Sequence, residues 1–171
     1  MLRYWIALLF APVLLASTVA AAPDDDVARG LKALSERDLV EAMDAFTAAL
    51  EADPSHAVAA FERGVLLLQI GEAENAIADL TTAILTNPAN GRAYAYRAEA
   101  KLLLKDGKSA IEDFDRAIAV APEDFEVHVV RATFRLKIGN IAGARADLEN
   151  AKAVADGATA AKISEMLERL P

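Results

Sequence analysis

The chain contains no cysteine. That excludes disulfides, thiol chemistry and a lipidated cysteine at a lipoprotein processing site. Only two histidines occur, His56 and His128. They are too far apart, and too poorly supplied with neighbouring ligands, to suggest a metal site; the nearest grouping, His128 with Glu126, is too sparse. Both read as structural residues, His56 in a loop and His128 on a helix surface. There is no glycine-rich phosphate loop and no G-x-S-x-G elbow. The acids number twenty-six, so chance carboxylate pairs are guaranteed and none marks a reaction centre. The chain therefore reads as a non-enzyme without cofactor or metal. A basic surplus is also missing: the net charge is −8. An acidic protein repels nucleic acid and anionic lipid, which leaves basic or neutral proteins as the fitting partners.

An apolar run occurs once, from Tyr4 to Val19, and Pro12 interrupts it. Arg3 precedes it, Ala20, Ala21 and Ala22 follow it, and then come Asp24, Asp25 and Asp26. A positive start, an apolar middle and a small-residue end form the pattern of a secretory signal over 1–22. Cleavage after Ala21 places Val19 and Ala21 at the two small positions; Ala20 and Ala22 are alternatives. The competing reading is a retained anchor, but a membrane-spanning helix needs about 20 apolar residues. Removing 1–22 deletes Arg3 and no acid, so the mature form is one unit more negative. The expected location is periplasmic or secreted in a bacterium, with no stable membrane insertion after cleavage.

What fills the rest is repetition. A unit of 34 residues recurs four times without insertion or deletion. Ala42, Ala76, Ala110 and Ala144 share one position; Ala49, Ala83, Ala117 and Ala151 share another. Phe46, Leu80, Phe114 and Leu148 form a third column, Gly30, Gly64, Ala98 and Ala132 a fourth, and Pro54, Pro88 and Pro122 a fifth. The units are 23–56, 57–90, 91–124 and 125–158. Apolar residues at helical spacing, such as Ile77, Leu80 and Ile84, make each unit two helices. Gly71 and Gly139 fall at the turn between them, where a positive φ is tolerated. In the third unit Gly107 comes two residues late, after Lys105 and Asp106, so that turn is expected to differ. The prolines end the second helices. The small columns let the two helices approach closely. A fixed period of this kind is a stacked array, which offers a surface to a partner rather than a closed reaction site.

Arg29, Arg63, Arg97 and Arg131 also recur, and Asp79, Asp113 and Asp147 follow the last three at a constant offset. This spacing predicts arginine–carboxylate bonds between the helices of a unit or between units; an arginine ladder for an anionic partner is the alternative. Residues 159–171 continue as one more helix, with Ile163, Met166, Leu167 and Leu170 on one face. That helix is expected to cap the last pair, or else to dimerise.

Taken together, these columns resemble the tetratricopeptide repeat. The aromatic expected early in each first helix appears only at Tyr94, with Asp26, Ala60 and His128 in the other units. The resemblance implies an all-α, right-handed superhelical stack of four hairpins, in which the first helices line a concave groove that binds a protein or peptide. At positions matching the family's lysine–asparagine clamp for C-terminal carboxylates stand Val27, Leu31, Phe61, Val65, Ala95 and Glu99, so that mode is not expected. The rows facing the groove are Val27, Phe61, Ala95, Val129; Leu31, Val65, Glu99, Thr133; and Leu34, Leu68, Leu102, Leu136. The leucine row is equally well read as core. The candidate contacts are Phe61, Glu62, Val65, Arg92, Tyr96, Glu99 and Leu103, since aromatic and arginine anchors dominate interfaces. The expectation is an exported adaptor or scaffold; the alternative is a homo-oligomeric envelope protein built by self-association.

Overall fold

The computed structural model describes residues 22–171. The segment read as a signal lies, but for Ala22, outside the described residues. Among those described there are nine helices and no strand: α1 (Pro23–Glu36), α2 (Leu39–Ala52), α3 (Ala57–Gln69), α4 (Ala73–Thr86), α5 (Gly91–Leu103), α6 (Gly107–Val120), α7 (Phe125–Lys137), α8 (Ile141–Val154) and α9 (Gly157–Glu168). Successive helices pair as hairpins α1–α2, α3–α4, α5–α6 and α7–α8, and each hairpin packs on the next. The expected all-α stack is what is observed. No described helix is long and apolar enough to cross a membrane.

Short polar side chains start most of these helices by accepting the orphan amides of the first turn. Asp38, Asp106 and Asn140 cap α2, α6 and α8, while His56, Asn90 and Asp124 cap α3, α5 and α7. At the hairpin turns one position takes the left-handed conformation in all four repeats: Arg37 and Gly71 (φ 63° and 84°), Lys105 and Gly139 (φ 63° and 77°). At each, the next amide reaches back five residues, as Asp38 does to the Ala33 carbonyl and Asp106 to that of Lys101. The third turn therefore does not differ, contrary to expectation. The two-fold hydrogen bonding of this helix end holds the shape whether or not glycine is present. A side chain in this conformation costs about 1 kcal/mol. Lys105→Gly is accordingly expected to stabilise the protein by about 0.5–1 kcal/mol; a melting temperature equal to or below the wild type would contradict this.

The core runs along the hairpin interfaces. Ala42, Ala76, Ala110 and Ala144 are fully buried, as are Phe46, Leu80 and Leu148, and Phe114 nearly so. The small column of the first helices faces the large column of the second. A Cβ added at Gly30 would come within 2.6 Å of Phe46 Cε1, and one at Gly64 within 2.8 Å of Leu80 Cγ. Glycine gives these two hairpins their closest approach, while in the third and fourth units Ala98 and Ala132 fill the same column with Phe114 and Leu148 still buried in the other.

The repeated ion pairs form as the spacing predicts. Arg63 Nε donates to Asp79 at 2.6 Å, Arg97 Nη2 to Asp113 at 2.7 Å and Arg131 Nη2 to Asp147 at 2.7 Å. Each joins the two helices of a hairpin. The same guanidiniums also reach the preceding hairpin, at Thr47, Thr81 and Asp115. The expected arginine–carboxylate bond therefore lies within the hairpin; between hairpins only Arg131 comes near a carboxylate, Asp115 at 3.7 Å, while Arg63 and Arg97 meet threonine hydroxyls. In the first unit Arg29 turns instead to Asp26 and Glu41, near the surface.

His128 is not a surface residue. It is 5% exposed, in the column Tyr94 occupies in α5. Its Nε2 donates to the Pro122 carbonyl at 2.8 Å, and Nδ1 has no partner among the described residues. The aromatic column points inward, and the imidazole follows its column rather than its polarity. Helix α9 begins two residues earlier than expected, because Asp156 caps it through the Thr159 amide. Ile163 and Leu167 are buried against the α7–α8 pair, whereas Met166 is exposed.

Candidate functional site

Helices α3, α5 and α7 lie side by side as the first members of their hairpins, and their shared face carries three adjoining hollows. One of about 270 Å³ is lined by Phe61, Glu62, Val65, Arg92, Tyr96 and Glu126, together with Leu34, Leu66 and Gln69. A second of about 200 Å³ shares Val65, Gln69 and Tyr96 and extends to Leu68, Glu99 and Leu103. The third, about 250 Å³, shares Glu99 and Leu103 and is lined by Leu102, Phe114, Val130, Phe134, Lys137 and Ile138. The shared residues make them one diagonal groove, from the early part of α3 and α5 to the late part of α5 and α7. All seven expected contacts, Phe61, Glu62, Val65, Arg92, Tyr96, Glu99 and Leu103, line it. Val27 and Ala95, placed in the groove rows, are instead buried. The leucines at 34, 68, 102 and 136 are half-buried and pack on the core.

The two ends of the groove differ in chemistry. At the first, the Phe61 and Tyr96 rings lie 6.0 Å apart, tilted by 60°. The Tyr96 hydroxyl donates to Glu126 Oε1 at 2.5 Å. Burial, and then that bond, push the phenol's pKa well above its ordinary value. Arg92 Nε donates to Asp124 at 2.7 Å and Nη1 lies 2.8 Å from Glu126. Its hydrogen bond to Asp124 raises its pKa further. The guanidinium is thus already held by two acids of the next hairpin. Glu62 is half-buried, and burial followed by the Glu126 carboxylate raises its pKa. The far end is apolar, edged by the Glu99–Lys137 pair at 2.9 Å.

Asp124, Glu126, Val130 and Phe134 were not among the expected contacts. The signal was available: in a stack of parallel first helices, a groove residue meets neighbours about one period later. Tyr96–Glu126 and Arg92–Asp124 are separated by 30 and 32 residues. Another hollow, of about 370 Å³, lies where α2, α3 and α4 meet, and there Arg63 is already bonded to Asp79. Among the described residues no group of three or more His, Cys, Asp or Glu is placed to hold a metal.

Stacked helix hairpins whose first helices share one grooved face define an α-solenoid repeat protein. The chain belongs to the tetratricopeptide repeat family, whose model matches residues 27–90 and 70–124. Among solved structures it is similar to a thermophilic TPR protein of Thermus thermophilus, at 22% identity and a TM-score of 0.74, covering 87% of this chain and 81% of that one. MamA from Desulfovibrio magneticus RS-1 is similar at 21% identity and a TM-score of 0.63, over 77% and 75% of the two chains. At these identities the likeness shows the fold. The second TPR of Spaghetti (RPAP3), bound to an HSP90 peptide, is 26% identical with a TM-score of 0.55, over 59% of this chain and 94% of that one. No curated protein matches the sequence.

Proposed function

We propose that this chain is an exported, non-catalytic scaffold that binds a protein or peptide partner along the groove of α3, α5 and α7. The observation that carries this reading is the continuity of the three hollows, with a half-buried aromatic pair at one end and an apolar slot at the other. A wall that leaves Phe61 and Tyr96 half-exposed has the anatomy of an interface awaiting its partner. The Spaghetti domain's bound peptide supports peptide binding as a use of this fold. The charge and apolar pattern of 1–22 supports export.

Crosslinking pull-down from the native envelope tests it. Replacing both Phe61 and Tyr96 by Ala is expected to cut recovery of the partner at least tenfold, since truncating central aromatic anchors costs about 2 kcal/mol or more. Unchanged recovery from a variant with wild-type circular dichroism would refute the groove. Sequencing the N-terminus of the exported protein tests the signal: a start near Pro23 supports it, and an intact Met1 opposes it.

A further inference from the structure

We infer that the occupant of the groove is a basic segment, whose lysine or arginine side chain enters the hollow at Glu62 and Glu126 while a neighbouring apolar side chain fills the slot at Val130 and Phe134. This rests on the groove reading above and names the chemistry of its partner.

The groove holds three carboxylates, Glu62, Glu99 and Glu126, and two cations, Arg92 and Lys137. Both cations are committed: Arg92 to Asp124 and Glu126, Lys137 to Glu99. Glu62 is left without a salt bridge or side-chain hydrogen bond to any described residue, although it is half-buried and faces the Glu126 carboxylate; the Arg92 guanidinium also acts on it, in the opposite sense, but burial and Glu126 outweigh it. Such a group costs stability, and proteins keep costly groups mainly where function needs them. A cation supplied from outside compensates it through a charge-assisted bond. The Phe61 and Tyr96 rings beside it suit the methylene stem of lysine or the plane of arginine. An anionic tail meets the reverse: Glu62 and Glu126 repel it, and the guanidinium that could receive it is occupied. The net charge of −8 favours encounter with a basic partner.

The test uses the mature chain and two short fluorescent peptides, identical except for lysine in one and glutamate in the other, each with a leucine downstream. Anisotropy is expected to show the lysine peptide binding about tenfold tighter or more at low salt, as a charge-assisted bond allows. Glu62→Gln should remove that preference and Glu62→Lys reverse it. Equal or tighter binding of the glutamate peptide, or an unaltered preference in Glu62→Lys, would overturn the inference. If the glutamate peptide binds and the Phe61/Tyr96 double variant loses it, the groove reading stands while this one falls. If neither peptide binds, this inference falls and the pull-down alone decides the groove.

Stability supplies a second readout. A carboxyl whose folded pKa is raised favours the fold below the ordinary carboxylate range and loses that contribution as pH rises. Glu62→Gln is therefore expected to raise the melting temperature at neutral pH, with the gain vanishing in acid. A merely structural Glu62 would lower it instead, and that result would overturn the inference.

Discussion

Asp147→Ala should lose about 3–5 kcal/mol of stability, the loss typical when one partner of a buried ion pair is removed. The Asp147 side chain is 1% exposed. It receives Arg131 Nη2 at 2.7 Å and Arg135 Nη1 at 2.7 Å. Truncation leaves two guanidiniums beside a small void. Arg135 retains the Gly143 carbonyl at 3.0 Å, and Arg131 retains only Asp115 at 3.7 Å. The cost is thus the stranded charge, not the intrinsic strength of the pair. Contact in an array is with nearest neighbours, so the loss should fall on α7, α8 and α9 and split the urea transition into two steps. Asp26, whose partner Arg29 is 47% exposed, is expected to contribute under about 1 kcal/mol. An Asp147→Ala variant within about 1 kcal/mol of wild type would remove the structural reading of the arginine column.

Asp113 gives the pH dependence of the same column. Burial alone would raise its pKa, but the bonds from Arg97 and Lys101 outweigh burial and hold the carboxyl below its usual range. A depressed carboxylate stabilises the fold above its unfolded value and ceases to do so as pH falls through the folded one. The gap between wild type and Asp113→Ala should therefore be full at neutral pH and close in acid, below about pH 4.

The fold was legible because every hairpin repeats the same steric problem. Gly30 opposite Phe46 and Gly64 opposite Leu80 announce the helix crossing in the sequence, and the arginine–aspartate offset announces the pair that ties it. What escaped was conformation or burial that contradicts residue type. Lys105 adopts a glycine-like backbone because the helix end requires it, and His128 is buried because its column is. The groove was half legible. Its α3 and α5 walls follow from the period, so Phe61, Val65 and Tyr96 were within reach. The α7 wall contributes Glu126, Val130 and Phe134, and these are recognised only once one period of chain is folded onto the next. That step also changes the meaning of Arg92: as a sequence it is a free anchor, but in the stack it is held by Asp124 and Glu126, and Glu62 becomes the group left to receive a partner.

Phe114→Ala is expected to be as damaging as the loss of Asp147, by about 3–5 kcal/mol, but through a void rather than a charge. Phe114 is 2% exposed, and its ring stacks on Phe134 with centroids 5.2 Å apart and planes 16° from parallel. Within that total, the lost ring pairing accounts for about 0.5–1.5 kcal/mol. Phe114 also forms the floor of the apolar slot with Leu102 and Val130. Truncation deepens the slot and frees Phe134, which loosens the groove where a partner's apolar side chain is proposed to sit. The column itself supplies the control. Leucine fills the same position at Leu80 and Leu148, so Phe114→Leu should fold at a cost of about 1 kcal/mol and keep most of the peptide binding. Leu and Ala variants of equal stability would show that the array tolerates a void here, and that the slot is held open by Val130 and Phe134 without the ring beneath them.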